Sequence, residues 1–323
     1  MNTALALRRL SVAVIAALLA STAPGSAVAA GPVCDAVWHD SARNRDVPVR
    51  IRMPDGAASA PLILFSHGLG GSLDGGTLWG QAWVDAGFVV VHLQHPGSDR
   101  SILLSGAGGG IGGALRAAMT PAQLDARVAD VKFVLDQIPA RRSEGQCALT
   151  RIDMAHIGMS GHSFGAHTTQ ALAGQRFAST AASTAEPRVR ASLAFSPSPP
   201  GIGSDAEATA RMTRPFLTIT GTEDTTPVVP GVRAADRERP FRAMPPGDKY
   251  LLVLKGAQHA DFSGNAGGFR HAGPDAHVRA AVIETSIAFW RWTLLGDRTA
   301  KTALDDPKAL EARLAPGDRL ERR

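Results

Sequence analysis

The stretch "GHSFG", residues 161–165, sets Ser163 between two glycines in a GxSxG pattern. A serine hydroxyl is a weak nucleophile at neutral pH. It needs an imidazole to take its proton and a carboxylate to orient that imidazole. Two later stretches offer those groups: "TEDTTP" (222–227) presents Asp224 and "AQHADFSG" (257–264) presents His259. Glu223 is the next acid candidate, and His271 and His277 are the alternatives for the histidine. Attack on an ester carbonyl also places negative charge on oxygen, which backbone N–H groups must meet. "FSHGLGG" (65–71) has the glycines to turn its amides inward, so Leu69 N–H and Phe164 N–H are the expected oxyanion donors. His67 and His162 are read as hydrogen-bonding supports for these loops, and His92, His95 and His156 as structural. Leu69 and Phe164 are expected as apolar walls. Trp79 is a third candidate, although its spacing from Trp83 also suits a helix core.

These side chains meet only if the elements between them bring them together. Short apolar, β-branched runs at 47–53, 61–67, 87–94, 155–161, 189–196, 215–221 and 250–256 read as strands. Helical patterns separate several of them. Near-continuous apolarity at 87–94 and 250–256 suits strands covered on both faces, hence a mostly parallel α/β sheet flanked by helices. The alternating run at 47–53 suits an outer antiparallel strand. Thr120, Pro121 and Gln123 open a helix whose Leu124, Val128, Val131, Leu135 and Ile138 share one face. A second long helix is expected over 275–295, ending before Gly296. Ser163 falls between a strand and a helix, which is the turn that GxSxG requires. In a parallel sheet reactive groups gather beyond the carboxyl ends of strands, and Asp224 and His259 both follow predicted strands.

With "HGLGG", "GHSFG", "GTED" and "QHADFS" in this order over residues 45–296, the chain resembles the α/β-hydrolase superfamily. "LFSHGLGG" and "VVVHLQHPGSD" look most like bacterial dienelactone-hydrolase-like proteins and the platelet-activating-factor acetylhydrolases. The resemblance implies an α/β-hydrolase fold, a serine esterase mechanism on Ser163, Asp224 and His259, and no metal or organic cofactor. Two departures narrow it. In the acetylhydrolases the acid follows the strand after the nucleophile helix, whereas that strand here ends in "LAFSPSPPG" without a carboxylate. Dienelactone hydrolases typically carry cysteine where this chain has Ser163. Only about twenty residues separate the strands ending at Phe195 and starting at Pro215, too few for a cap domain. An uncapped site admits small or polymeric esters, so cutinase-like, polyester and phospholipid-type hydrolases are the alternatives. A non-catalytic binding protein on the same fold is the distant one.

Residues 1–30 carry Arg8 and Arg9, an apolar run over 10–20 and small residues at Ala29 and Ala30, as an export signal does. The apolar run is too short to span a bilayer, which takes roughly 20 residues. The expected organisation is therefore a signal at 1–30, one hydrolase domain at 31–296 and a charged tail at 297–323 holding one short helix near 305–314. The glycine-rich stretch at 105–119 reads as an irregular loop. Losing the two signal arginines lowers the formal charge from +5 to +3, with no basic run to track a phosphate backbone, so nucleic acid is not an expected partner. No stable membrane insertion is expected once the signal is removed, and oligomeric state stays open. Export would place Cys34 and Cys147 in an oxidising compartment, where such a pair tends to join, with two separate thiols as the alternative. No Cys/His cluster has zinc-site spacing.

Overall fold

The strands buried at every position, Ala60–Ser66 and Val89–Leu93, lie inside one nine-stranded sheet, and partly exposed ones such as Val33–Asp40 lie toward its edges. The computed structural model describes residues 31–323 apart from 57–58, 104–109, 178–183, 200, 202, 227, 230, 266–272 and 307–313. The expected signal segment lies outside the described residues.

The chain opens with an antiparallel hairpin of β1 (Val33–Asp40) and β2 (Arg45–Arg52). It continues through β3 (Ala60–Ser66), α1 (Thr77–Asp85), β4 (Val89–Leu93), α2 (Gly110–Ala118) and α3 (Pro121–Ala140). A two-stranded clip, β5 (Ser143–Glu144) with β6 (Cys147–Ala148), precedes the long β7 (Ile152–His162). There follow α4 (Phe164–Leu172), β8 (Val189–Phe195), α5 (Asp205–Thr209), β9 (Phe216–Glu223), α6 (Arg239–Ala243) and β10 (Lys249–Gln258). The long α7 (Ala276–Leu295), α8 (Arg298–Asp305) and β11 (Arg319–Arg322) complete the chain. The sheet order is β1-β2-β4-β3-β7-β8-β9-β10-β11. Strands from β4 to β10 pair in parallel, while β1, β2 and β11 are antiparallel to their neighbours.

Alternation along β3 divides the core. Leu62 and Leu64 face α3 and α4, packing with Val128, Val131 and Met159, while Ile63 and Phe65 face α1 and α7 among Trp83, Leu193 and Trp290. The expected stripe on α3 is buried at all five positions, and Thr120 caps the helix by accepting from Gln123 N–H at 3.2 Å. Trp79 and Trp83 are both fully buried, donating to Phe262 O (3.1 Å) and Ser286 Oγ (2.9 Å), so Trp79 belongs to the core and not to a substrate wall.

Cys34 on β1 and Cys147 on β6 form a disulfide that fastens the outermost strand to the clip after α3. Two segments differ from the sequence reading. Residues 110–118, expected as irregular loop, form α2, where Ala114 is buried despite neighbouring glycines. The stretch after 297, expected as a charged tail, is built into the fold. α8 buries Ala300 and Leu304, and β11 pairs with β10 from Tyr250↔Arg322 to Val253↔Arg319. The charges of β11 mislead because they are matched at the sheet edge, Glu321 with Arg242 and Arg319 with Glu238, while Leu320 packs inward. The short helix is Arg298–Asp305; most of the stretch where it was expected, 307–313, lies outside the described residues.

Candidate active site

β7 runs straight into α4, and Ser163 takes the turn between them at φ 57°, ψ −113°, a backbone region that costs an L-residue about 1–3 kcal/mol. The flanking glycines make the turn sterically feasible. A Cβ on Gly161 would strike the carbonyl of Gly165, and one on Gly165 would strike Ser66 O. The turn projects Ser163 above the carboxyl edge of the sheet. His259 starts a short helical turn after β10, and Asp224 directly follows β9.

The Ser163 hydroxyl donates to His259 Nε2 at 3.0 Å, and His259 Nδ1–H donates to Asp224 Oδ1 at 2.7 Å. Asp224 is fully buried and the His259 side chain is 15% exposed. Burial alone would raise the Asp224 pKa. The His259 hydrogen bond and charge, with further help from Arg237, outweigh it and hold the carboxyl below its ordinary value. Its second oxygen accepts from Thr220 Oγ1 at 2.8 Å. Of the alternatives, Glu223 is exposed at the end of β9 and His277 is exposed on α7, while His271 lies outside the described residues.

The glycine loop after β3 lies against Ser163: a Cβ on Gly68 would sit 3.0 Å from His162 Nδ1 and 3.5 Å from Ser163 Cβ. Gly70 N–H donates to Ser98 O (2.9 Å) and Gly71 N–H to Gly68 O (3.1 Å). Phe164 is the first residue of α4, so its N–H has no acceptor within the helix. His67 Nδ1–H donates to Gly68 O (2.6 Å) while its Nε2 accepts from His95 N–H (3.1 Å), which fixes a neutral imidazole as a brace of the loop. His162 Nε2–H donates to His259 O at 2.9 Å. Burial, then repulsion from His259, drives the His162 pKa down to about 3, so it carries no charge beside its neighbour at neutral pH.

A buried polar network stands behind the loop. Arg127 of α3 donates to Ser66 Oγ (3.1 Å), His67 O, Ser98 Oγ (2.9 Å) and Thr168 Oγ1 (3.1 Å), and its guanidinium lies 4.7 Å from the Phe164 ring centre. Ser66 Oγ in turn donates to His95 Nε2 (2.9 Å), and His95 Nδ1–H to Asp130 Oδ2 (3.0 Å). Arg43 and Arg45 also donate to Asp130. This is a second serine–histidine–aspartate chain, but all three members are fully buried, so no substrate reaches it. Its role is structural. Sequence reasoning missed Arg127 and Asp130 because both lie beside the apolar stripe of α3, where spacing cannot separate a buried ion from a solvated one. It also missed Arg237, which holds the loop after β8 through Ser196 O, Pro197 O and Ser198 Oγ and lies 3.5 Å from Asp224.

Ser163 and His259 open into a cleft of about 1030 Å³ whose walls include Leu69, Phe164, Met119 and Val228. Among the described residues, the only helix between β8 and β9 is the five-residue α5. No family model matches the chain, and no curated protein sequence does. Among solved structures it is similar to a ferulic acid esterase from Streptomyces cinnamoneus, at 20% sequence identity and a TM-score of 0.57, over 85% of this chain and 93% of that one. With its mostly parallel sheet, helices on both faces and sharp strand-to-helix turn after β7, this chain has the α/β-hydrolase fold.

Proposed function

We propose that the chain is an exported serine hydrolase that cleaves carboxylic esters through an acyl-enzyme on Ser163. The observation that carries this reading is the continuous hydrogen-bonded path from Ser163 Oγ through His259 to buried Asp224, open to a cleft at the serine end. As Ser163 Oγ attacks the ester carbonyl carbon, His259 Nε2 takes its proton and the Asp224 carboxylate stabilises the imidazolium. The oxyanion accepts from Leu69 N–H and Phe164 N–H. On collapse, the alcohol leaves with the proton from His259. Water then attacks the acyl-enzyme with His259 again as base, freeing the acid and restoring the Ser163 hydroxyl. No step calls for a metal or organic cofactor. Export is supported by the signal-like residues 1–30 and by the disulfide, which persists in oxidising compartments.

An uncapped cleft of this volume also supports bulky or polymeric esters as substrates, and the ferulic acid esterase likeness adds feruloyl esters to the panel. A fluorophosphonate probe should label wild type and not Ser163→Ala, with both melting alike. Folded wild-type protein that stays unlabelled would argue for a binding protein instead. p-Nitrophenyl esters of graded length, a feruloyl ester, a phospholipid and a polyester film then rank the substrates.

A further inference from the structure

The cleft extends from Ser163 along the glycine loop to the strand β2. Among the described residues, four arginines line it, Arg50, Arg52, Arg100 and Arg237, against one carboxylate, Asp74. Three of the four are matched. Arg50 donates to Asp35 (2.7 and 2.8 Å) and Asp74 (2.7 Å), and Arg100 donates to the other Asp74 oxygen (2.9 Å). Arg237 also has an unpartnered nitrogen, Nη2, but its charge is met by Asp224 and by carbonyls.

Arg52 is different. It is half-buried, its Nη1 reaches only the neutral Gln81 amide oxygen at 3.4 Å, and its buried Nε has no hydrogen-bond partner. No carboxylate among the described residues forms an ion pair with it. Burial, then the charge of Arg50 on the same face of β2, presses its pKa below the ordinary value against the weaker pull of Asp35 and Asp74, which already pair with Arg50. A guanidinium withdrawn from water with no carboxylate in contact is costly, and one placed in a substrate cleft is positioned to take that contact from the ligand.

We infer that Arg52, flanked by Arg50 and Arg100, forms a subsite for a carboxylate carried by the substrate at a distance from the ester being cleaved. This rests on the esterase reading and names its substrate class: esters with a free acid at the far end. Three strand spacings of about 4.8 Å separate β2 from β7, and the register through Val90 and Ile63 sets Arg52 level with Gly158, five residues of about 3.3 Å before Ser163, so the Arg52 backbone lies roughly 22 Å from Ser163. The chemistry is self-consistent for chain-like substrates, because each ester bond hydrolysed exposes a new carboxylate of the kind Arg52 would hold.

The test uses 4-nitrophenyl half-esters of straight-chain dicarboxylic acids of increasing length, each beside its methyl-capped counterpart. Wild type should prefer the free acids once the chain spans cleft and subsite, and added salt should shrink that preference. Arg52→Gln should lose about tenfold in kcat/KM on the free acids, mostly through KM, as removal of a charged hydrogen bond predicts, with capped esters within about twofold. Arg52→Lys should recover part of the loss. Equal wild-type rates on the two series at every length, or an Arg52→Gln loss shared equally by both, would overturn the subsite and leave the esterase reading standing. Folded wild type that hydrolyses neither series would remove the esterase reading, and the subsite with it.

Discussion

Arg127 donates to Ser66 and His67 at the head of the glycine loop, to Ser98 behind it and to Thr168 of α4, so one side chain ties together three segments that border the site. Burial pushes its pKa down to about 9, which leaves it charged at neutral pH with every partner inside the protein. Arg127→Met should cost about 3 kcal/mol, the lower range for breaking a buried charged network, as read from urea melts. It touches no substrate, so it acts as a positioning residue. In the surviving folded fraction kcat should fall with KM nearly unchanged, and Arg127→Lys should recover part of kcat. A variant with reduced stability but wild-type kcat would confine Arg127 to a structural role. The same reasoning explains why His67 and His162 were legible as loop supports while Arg127 was not. The histidines adjoin the glycine loop and Ser163 in the sequence, whereas Arg127 comes from a helix whose apolar stripe is complete without it.

The outermost strand β1 depends on its partner β2 and on the Cys34–Cys147 bond, since its outward residues Val33 and Val37 are exposed. The bond closes a separation of 113 residues, for which chain entropy sets an upper stabilisation of about 4.7 kcal/mol. The Cys34→Ser/Cys147→Ser variant, or reduction by a thiol, should lower stability by about 2–4 kcal/mol in denaturant titrations. An unchanged midpoint would show that β1 stays docked without it. Inner strands were legible because burial on both faces leaves apolar runs such as residues 88–91 at the start of β4. β1 was not read as a strand because its residue types do not follow its regular alternation of burial: the inward side mixes Cys34 and Trp38 with Asp40, the outward side carries Val33 and Val37, and what holds it is a bond between distant residues. β11 escaped for a related reason, as only Leu320 of its four residues packs inward.

Across the whole molecule, four histidines, His67, His92, His95 and His162, are buried, His167 is partly buried beside the cleft, and all five are held neutral. Burial is the first cause at each. It takes His92 and His162 to about 3 and His95 and His167 to about 4. An unfolded chain protonates these rings near pH 6.5, so between there and the folded values unfolding takes up protons and stability falls as the pH is lowered. Each ring contributes a slope of up to about 1.4 kcal/mol per pH unit in that window. Asp130 and Asp224, both lowered, add their loss only at more acid pH, through the carboxylate range. The melting temperature should therefore drop steeply from pH 7 to pH 4, and a flat profile there would contradict the buried neutral rings. The interior chain Ser66–His95–Asp130 has a last consequence. A search that recognises hydrolytic enzymes by the mutual placement of hydroxyl, imidazole and carboxylate will score this molecule twice. Only the route by which a solute arrives tells the two hits apart.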